Sequence, residues 1–253
     1  MTLLATERIK LFTTRSPWWC ALIALAVMVG FGALIAGTSE GGGDLSVATS
    51  QFGYQFGLPV VMVLAALAVT TEYRFGTIRT TFQAVPARGR MLLAKTTVVA
   101  VLALVIGELS AFGSLGVAAL IKPAGDFALN SSADWINVAG VGAVYALSAV
   151  VAVAVGILIR HSAGAIALLL IYSLVVESLV PMIPNVGDDI YKWMPFNVAN
   201  KFLTGDGASR GIEMAGPPLS TATLSQWGSL AFFAGFAALM LIIAISTAKK
   251  RDA

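Results

Sequence analysis

Long apolar stretches alternate along the chain with short polar interruptions, and that alternation sets the architecture. A membrane-spanning helix needs about 20 predominantly apolar residues, and six stretches qualify: residues 17–37, 53–71, 92–121, 136–159, 163–183 and 227–248. The third exceeds one crossing, so it either tilts or continues as helix beyond the lipid. Small residues recur at helical spacing inside the stretches. Gly107, Ala111 and Ser114 stand at i, i+4 and i+7, and Ala139 and Ala143 four apart. Such spacing lets helices approach closely where lipid supplies no hydrophobic drive for association. The pattern predicts an all-α integral membrane protein, one transmembrane domain of six helices over residues 1–253.

The polar interruptions carry patterns of their own. In the segment 72–90, a helix over Gly76 to Ala84 places Ile78, Phe82 and Val85 on one face, with Arg79 and Gln83 four apart on another. Val85 precedes Pro86, which disfavours helix there, so the chain turns before the third span. The expected element is a short basic helix along the membrane surface, fit to dock a partner. At the start, Ala5, Ile9 and Phe12 share one helical face, which reads as an interfacial helix or as a simple basic flank. The first span is full length with no convincing cleavage site after it, the pattern of a retained signal anchor.

Residues 38–51 and 122–135 read as flexible connectors. The region 184–226 is larger. Ile190, Trp193, Met194 and Asn197 occupy i, i+3, i+4 and i+7, predicting a short helix that Pro195 kinks or ends. Loop is expected around Thr204 to Gly211 and Gly216-Pro217-Pro218.

Composition agrees with the pattern: 58% hydrophobic and 11% charged, against about 25% charged in soluble domains. Placing both termini in the cytoplasm puts Arg8, Lys10, Arg15, Arg74, Arg79, Arg88, Arg90, Lys95, Arg160, Lys249, Lys250 and Arg251 inside, twelve of the sixteen basic residues. Lys122, Lys192, Lys201 and Arg210 remain outside. That asymmetry satisfies the positive-inside rule. The net charge of +3 thus reports topology and attraction to anionic lipid, and argues against a nucleic-acid partner. The single cysteine, Cys20, lies in the first span and reads as packing.

Two carboxylates, Glu108 and Glu177, lie well inside spans. An acidic residue at a helix centre costs roughly +2.5 to +3.5 kcal/mol on insertion scales, so each must face protein or a cavity. Each has two readings: a polar lining or gate for a translocated substrate, or a buried carboxyl tying helices together. Ser173, one turn before Glu177, is a candidate hydrogen-bond partner, and Glu177→Gln is expected to leave folding intact. His161 reads as a loop residue; with no second histidine or paired cysteines there is no metal-ligand pattern. No G-x-x-x-x-G-K-[ST] occurs, so any ATP must be held by another chain.

The run Glu72-x-Arg74-x-Gly76-Thr77-Ile78-Arg79-Thr80-Thr81, followed by Pro86-x-Arg88-x-Arg90 and Ala94-Lys95, resembles the ABC-2 type transporter permeases, as do Glu177, Pro181, Pro184 and Trp193-Met194-Pro195-Phe196-Asn197. The resemblance implies a type V exporter-like fold: six spans, both termini cytoplasmic, an N-terminal interfacial helix, a coupling helix between spans two and three, and short external helices capping the outer end over 184–226. It further implies an ATPase-coupling segment containing Glu72, Arg74, Gly76, Thr77, Ile78, Arg79, Phe82 and Arg88. Glu72 would belong there to a polar network with Arg74 and Arg79, while Arg88 and Arg90 either touch the ATPase or anchor headgroups. Two ABC ATPase subunits, carrying ATP and Mg, and a second permease subunit would complete an exporter in a prokaryotic-type inner membrane. The candidate pathway residues are then Glu108, Glu177 and Ser173, and the cargo an amphipathic small molecule, drug or lipid. The rival classes are an ion-coupled carrier and an intramembrane enzyme built on Glu108 or Glu177.

Overall fold

The computed structural model describes residues 3–39, 45–78, 81, 88–206, 217 and 219–251. Its elements are α1 (Leu3–Thr13), α2 (Ser16–Thr38), α3 (Val47–Ser50), α4 (Tyr54–Arg74), α5 (Arg88–Ile121), α6 (Ser132–Ile159), α7 (Ser162–Met182), α8 (Gly187–Tyr191), α9 (Pro195–Thr204) and α10 (Gln226–Arg251). Six of them, α2, α4, α5, α6, α7 and α10, are long and apolar enough to cross a membrane. The chain is a multi-pass membrane protein.

The six helices run alternately up and down, so Leu3 and Arg251 lie at one end of the bundle, the terminal end. Gly89 at the start of α5 packs beside Lys249 of α10, and the Arg160 guanidinium at the end of α6 stands 5.2 Å from the Tyr73 ring at the end of α4. At the core sits α6, which packs on α4, α5, α7, α9 and α10. Its sequence explains the position. A run of Gly, Ala, Val and Ser from Asn137 to Ile157 offers little bulk, so neighbours approach on several sides. Gly107 of α5 faces Gly142 of α6 so closely that an added Cβ would stand 2.7 Å from the Gly142 Cα.

Helix ends follow local chemistry. Ser131 caps α6 by accepting from the Asp134 N–H, and Asp134 reaches back to the Ser131 N–H, a reciprocal capping box. Arg160 closes α6 in the left-handed conformation, φ 58°. His161 then caps α7, its Nδ1 accepting from the Gly164 N–H at 3.1 Å, so this residue has a structural task in the turn. Within α7, residues Ile171–Val176 widen into a π-helical stretch.

Two expectations change. The connector 38–51 is not flexible throughout: its described second half is the buried turn α3. Ser114 of α5 donates to the Ser50 carbonyl at 2.5 Å, and Gln51 donates to the Ala111 carbonyl at 3.2 Å. Pro195 neither kinks nor ends a helix: α8 stops at Tyr191, and Pro195 opens α9. At the first helical position its missing N–H has no intrahelical partner to lose.

The α5–α6 contact yields a test. Gly107→Ala should force the two backbones apart and destabilise by about 1–3 kcal/mol, while Gly30→Ala, where a Cβ meets nothing within 4 Å, should be neutral or slightly stabilising. Thermal melting of the purified variants separates the two; equal melting temperatures would show that the close crossing carries no packing weight.

Candidate functional site

At the terminal end, four ionic side chains from three helices meet. Lys95 of α5 stands 2.5 Å from a Glu7 oxygen of α1 and 2.9 Å from Glu72 of α4. Lys10 of α1 stands 3.1 Å from the other Glu7 oxygen, 3.4 Å from the same Glu72 oxygen, and 3.3 Å from the Thr81 hydroxyl. Glu7 and Lys95 are each only 4% exposed. Their geometry follows from spacing: Glu7 and Lys10 lie three apart on α1 and so share a face, with Leu11 buried beside them.

This arrangement turns α1 opposite to a soluble amphipathic helix. Its charged Glu7–Lys10 face meets the bundle, while Leu4, Ile9 and Phe12 point outward. The face shared by Ala5, Ile9 and Phe12 is therefore not the one that packs. Burial draws the Lys10 ammonium down, but Glu72 and Glu7 together outweigh it and hold its pKa above the ordinary lysine value. A raised lysine contributes its stabilisation below its unfolded pKa and loses it as pH rises through the folded value, so its pairing persists through neutral pH.

The cluster anchors the segment expected to couple to an ATPase. Immediately after Glu72, Arg74 ends α4 with its guanidinium 5.5 Å from the Phe75 ring, and Phe75 is 71% exposed. Gly76 adopts φ +72°, the left-handed conformation that glycine alone takes freely. Thr77 is exposed, its hydroxyl 3.5 Å from the Glu72 carbonyl. Ile78 turns back into the core. Arg79, Phe82 and most of the expected surface helix lie outside the described residues. Arg88 opens α5, half-buried. The structure pairs Glu72 with Lys95 and Lys10, whereas Arg74, one of its two expected partners, lies over Phe75 and the other, Arg79, lies outside the described residues. The available signal is Lys95 itself, a cation one turn inside the apolar run of its span that needs a buried counter-charge, although the sequence pattern assigns it only a side of the membrane.

At the far end, Glu177 closes a second site. Its two carboxylate oxygens accept the Phe196 N–H at 3.1 Å and the Asn197 N–H at 3.0 Å, the free N–H groups at the start of α9. An anion at a helix N-terminus is favoured by these donors and by the helix dipole. The Tyr172 hydroxyl lies beside Glu177 and donates to the Met194 sulfur at 3.5 Å. Tyr172 and Glu177 are five residues apart, the spacing that π-helical turns bring together. Ser173 is not its partner; that hydroxyl donates to the Leu169 carbonyl at 2.8 Å. From α9 the contacts continue inward: the Tyr54 hydroxyl donates to Asn200, and the Tyr145 hydroxyl donates to the Tyr54 carbonyl at 2.9 Å.

Glu108 stands apart from both sites. Half-buried, it lies over Gly142 at the α5–α6 crossing, with no hydrogen-bond or ionic partner among the described residues, and exposed Val105, Leu109 and Phe112 flank it. Among the described residues no group of His, Cys, Asp and Glu is arranged to hold a metal ion.

The Glu177 geometry reverses the expectation for its amide. Both carboxylate oxygens take N–H donors, and Gln would turn an NH2 group toward one of them. Glu177→Gln should therefore cost about 1–3 kcal/mol and expose residues 184–206 to protease. An unchanged melting temperature and digestion pattern would show that the cap contributes nothing.

Comparison with known proteins agrees with this architecture. No curated protein matches the chain closely enough to mark common descent. A sequence model of the family described as ABC-2 family transporter protein matches residues 3–176, from the first residue of α1 to the residue before Glu177. A match over that much of 253 residues, carried by a six-helix membrane bundle, places the chain in the ABC-2 transporter family.

Proposed function

We propose that this chain is the permease subunit of an ATP-driven exporter, moving an amphipathic small molecule, drug or lipid outward, with both termini in the cytoplasm of a prokaryotic-type inner membrane. Two separate ATPase subunits carry ATP and Mg, and a second permease subunit, a copy or a relative, completes the pathway. The observation that carries the reading is the Arg74–Phe75–Gly76–Thr77 turn: an exposed cation and aromatic ring held at the end of a spanning helix by a buried charge cluster one residue pair away. Exposed Arg and aromatic residues are the side chains that dominate binding energy at protein interfaces, and this pair belongs to the segment whose sequence resembles a coupling helix.

The orientation rests on the distribution of basic residues. Arg8, Arg74, Lys249, Lys250 and Arg251 all belong to the terminal end, which faces the cytoplasm on the positive-inside rule. Nucleotide binding in the ATPase would push on the 72–90 segment. Because Glu72 ties that segment to α1 and α5, the motion passes into three helices together rather than into one loop. Glu108 is the candidate for the substrate route, since its carboxyl is half-buried and flanked by a helix face that the bundle leaves open.

Arg74→Glu combined with Phe75→Ser tests the docking role. Both side chains are exposed, so the variant should melt like the native chain, yet retain roughly tenfold less ATPase on copurification, the effect of losing one interface hot spot. Native recovery of the ATPase together with native substrate-stimulated hydrolysis would overturn the reading.

A further inference from the structure

Beside the charge cluster lies a cavity of about 590 Å³, within the roughly 300–1,000 Å³ range of small-molecule sites. Its body is apolar, formed by Leu64, Leu67 and Ala68 of α4 and Val98 and Val99 of α5. Its polar end is formed by Glu7, Lys10, Glu72 and Lys95, with threonines at the rim. Such a shape fits an amphiphile, and the state of each polar atom decides which kind.

Glu72 is uneven. One carboxylate oxygen receives both lysines, at 2.9 and 3.4 Å, while the other, Oε2, is buried with no hydrogen-bond partner among the described residues. An unpaired buried acceptor costs about 1–3 kcal/mol in general, so a donor belongs there. The described threonines of the neighbouring rim do not supply one. Thr13, Thr14, Thr71 and Thr81 each donate to a backbone carbonyl, at 3.0, 3.0, 2.7 and 3.0 Å, and the Thr81 oxygen already accepts from Lys10. Lys10 commits its three N–H groups to Glu7, Glu72 and Thr81. Lys95 commits two of three, so one N–H remains.

Charge narrows the choice further. Two glutamates and two lysines already balance. An ammonium head would add an uncompensated buried cation, and a carboxylate head would be repelled by both glutamates; either carries the desolvation penalty of an unpaired ion. A hydroxyl carries no charge, donates once and accepts once. Once the Glu72 carboxylate turns to present its buried Oε2, the hydroxyl can give its hydrogen to that oxygen and take the remaining Lys95 N–H. We propose that this cavity binds a neutral hydroxyl-headed amphiphile, a long-chain or alicyclic alcohol, with the hydroxyl on Glu72 and Lys95 and the apolar body along α4 and α5.

The site is separate from Glu108 and its occupancy needs no ATPase, so its test stands apart from that of the transport reading. The full chain in lipid nanodiscs is exposed to hexadecanol carrying a mid-chain diazirine, and in parallel to hexadecanoic acid and hexadecylamine with the same photoreactive group. After illumination, labelled peptides are located by mass spectrometry. The alcohol should label the stretches containing Leu64–Ala68 and Val98–Val99, with protection by unlabelled hexadecanol and half-saturation at about tenfold lower concentration than for the acid or the amine, the effect of one hydrogen bond. Ala68→Phe, which fills the apolar body, should abolish that labelling while labelling near exposed Leu109 persists. Val98→Phe is the second filling variant should Ala68→Phe fail to fold. Equal labelling by all three probes, or labelling that survives the filled cavity, would overturn the proposal.

Discussion

A charge that enters an apolar medium must find a partner there, and this one constraint accounts for how α1 and α9 are fastened to the spanning helices. Removing one member of a buried ion pair typically costs about 3–5 kcal/mol, because the other is left uncompensated. At the terminal end, Lys95 is buried two turns into an apolar helix and cannot remain alone; Glu7 and Glu72 close on it from two other helices, and Lys10 completes the balance. α1 has few other reasons to dock as it does. Its apolar side chains Leu4, Ile9 and Phe12 face outward, so what holds it to the bundle is charge, with Leu11 as the apolar exception.

The same rule operates at the far end with a different partner. Glu177 is satisfied not by a cation but by the open N–H groups of α9. Its helix widens over Ile171–Val176, and the Tyr172 hydroxyl in that stretch donates to Met194, just before α9. The two sites thus bracket the membrane domain. α4 spans the distance between them, with Glu72 in the charge cluster and Tyr54 bonded to Asn200 of α9.

Much of the fold is legible because membrane insertion writes itself into composition. Each of the six apolar stretches belongs to one of the six spanning helices, and Gly107 and Ser114 do stand at close helix approaches, the first to Gly142 of α6 and the second to Gly32 of α2. The details that escape are those where a side chain answers to a residue distant in sequence. Glu7 and Lys95 are 88 positions apart and Glu177 and Asn197 are 20 apart; neither separation leaves a periodic trace. Pro195 is misleading for a related reason, since a proline that ends one helix and a proline that begins the next have the same local signature on their N-terminal side. The buried turn α3 is hidden because its polar sequence resembles a loop until Ser114 and Gln51 satisfy it from within the membrane domain.

The central claim is that Glu7 and Lys95 hold α1 to the spanning helices as a coupled pair. A double-mutant cycle measures this directly: Glu7→Gln, Lys95→Met and the double variant are unfolded reversibly in mixed detergent alongside the native chain. Each single change is expected to destabilise strongly, and the double change to cost less than their sum by about 1–3 kcal/mol, the size of coupling between contacting charged residues. Strictly additive losses would contradict it, showing that α1 is held by something other than this pair.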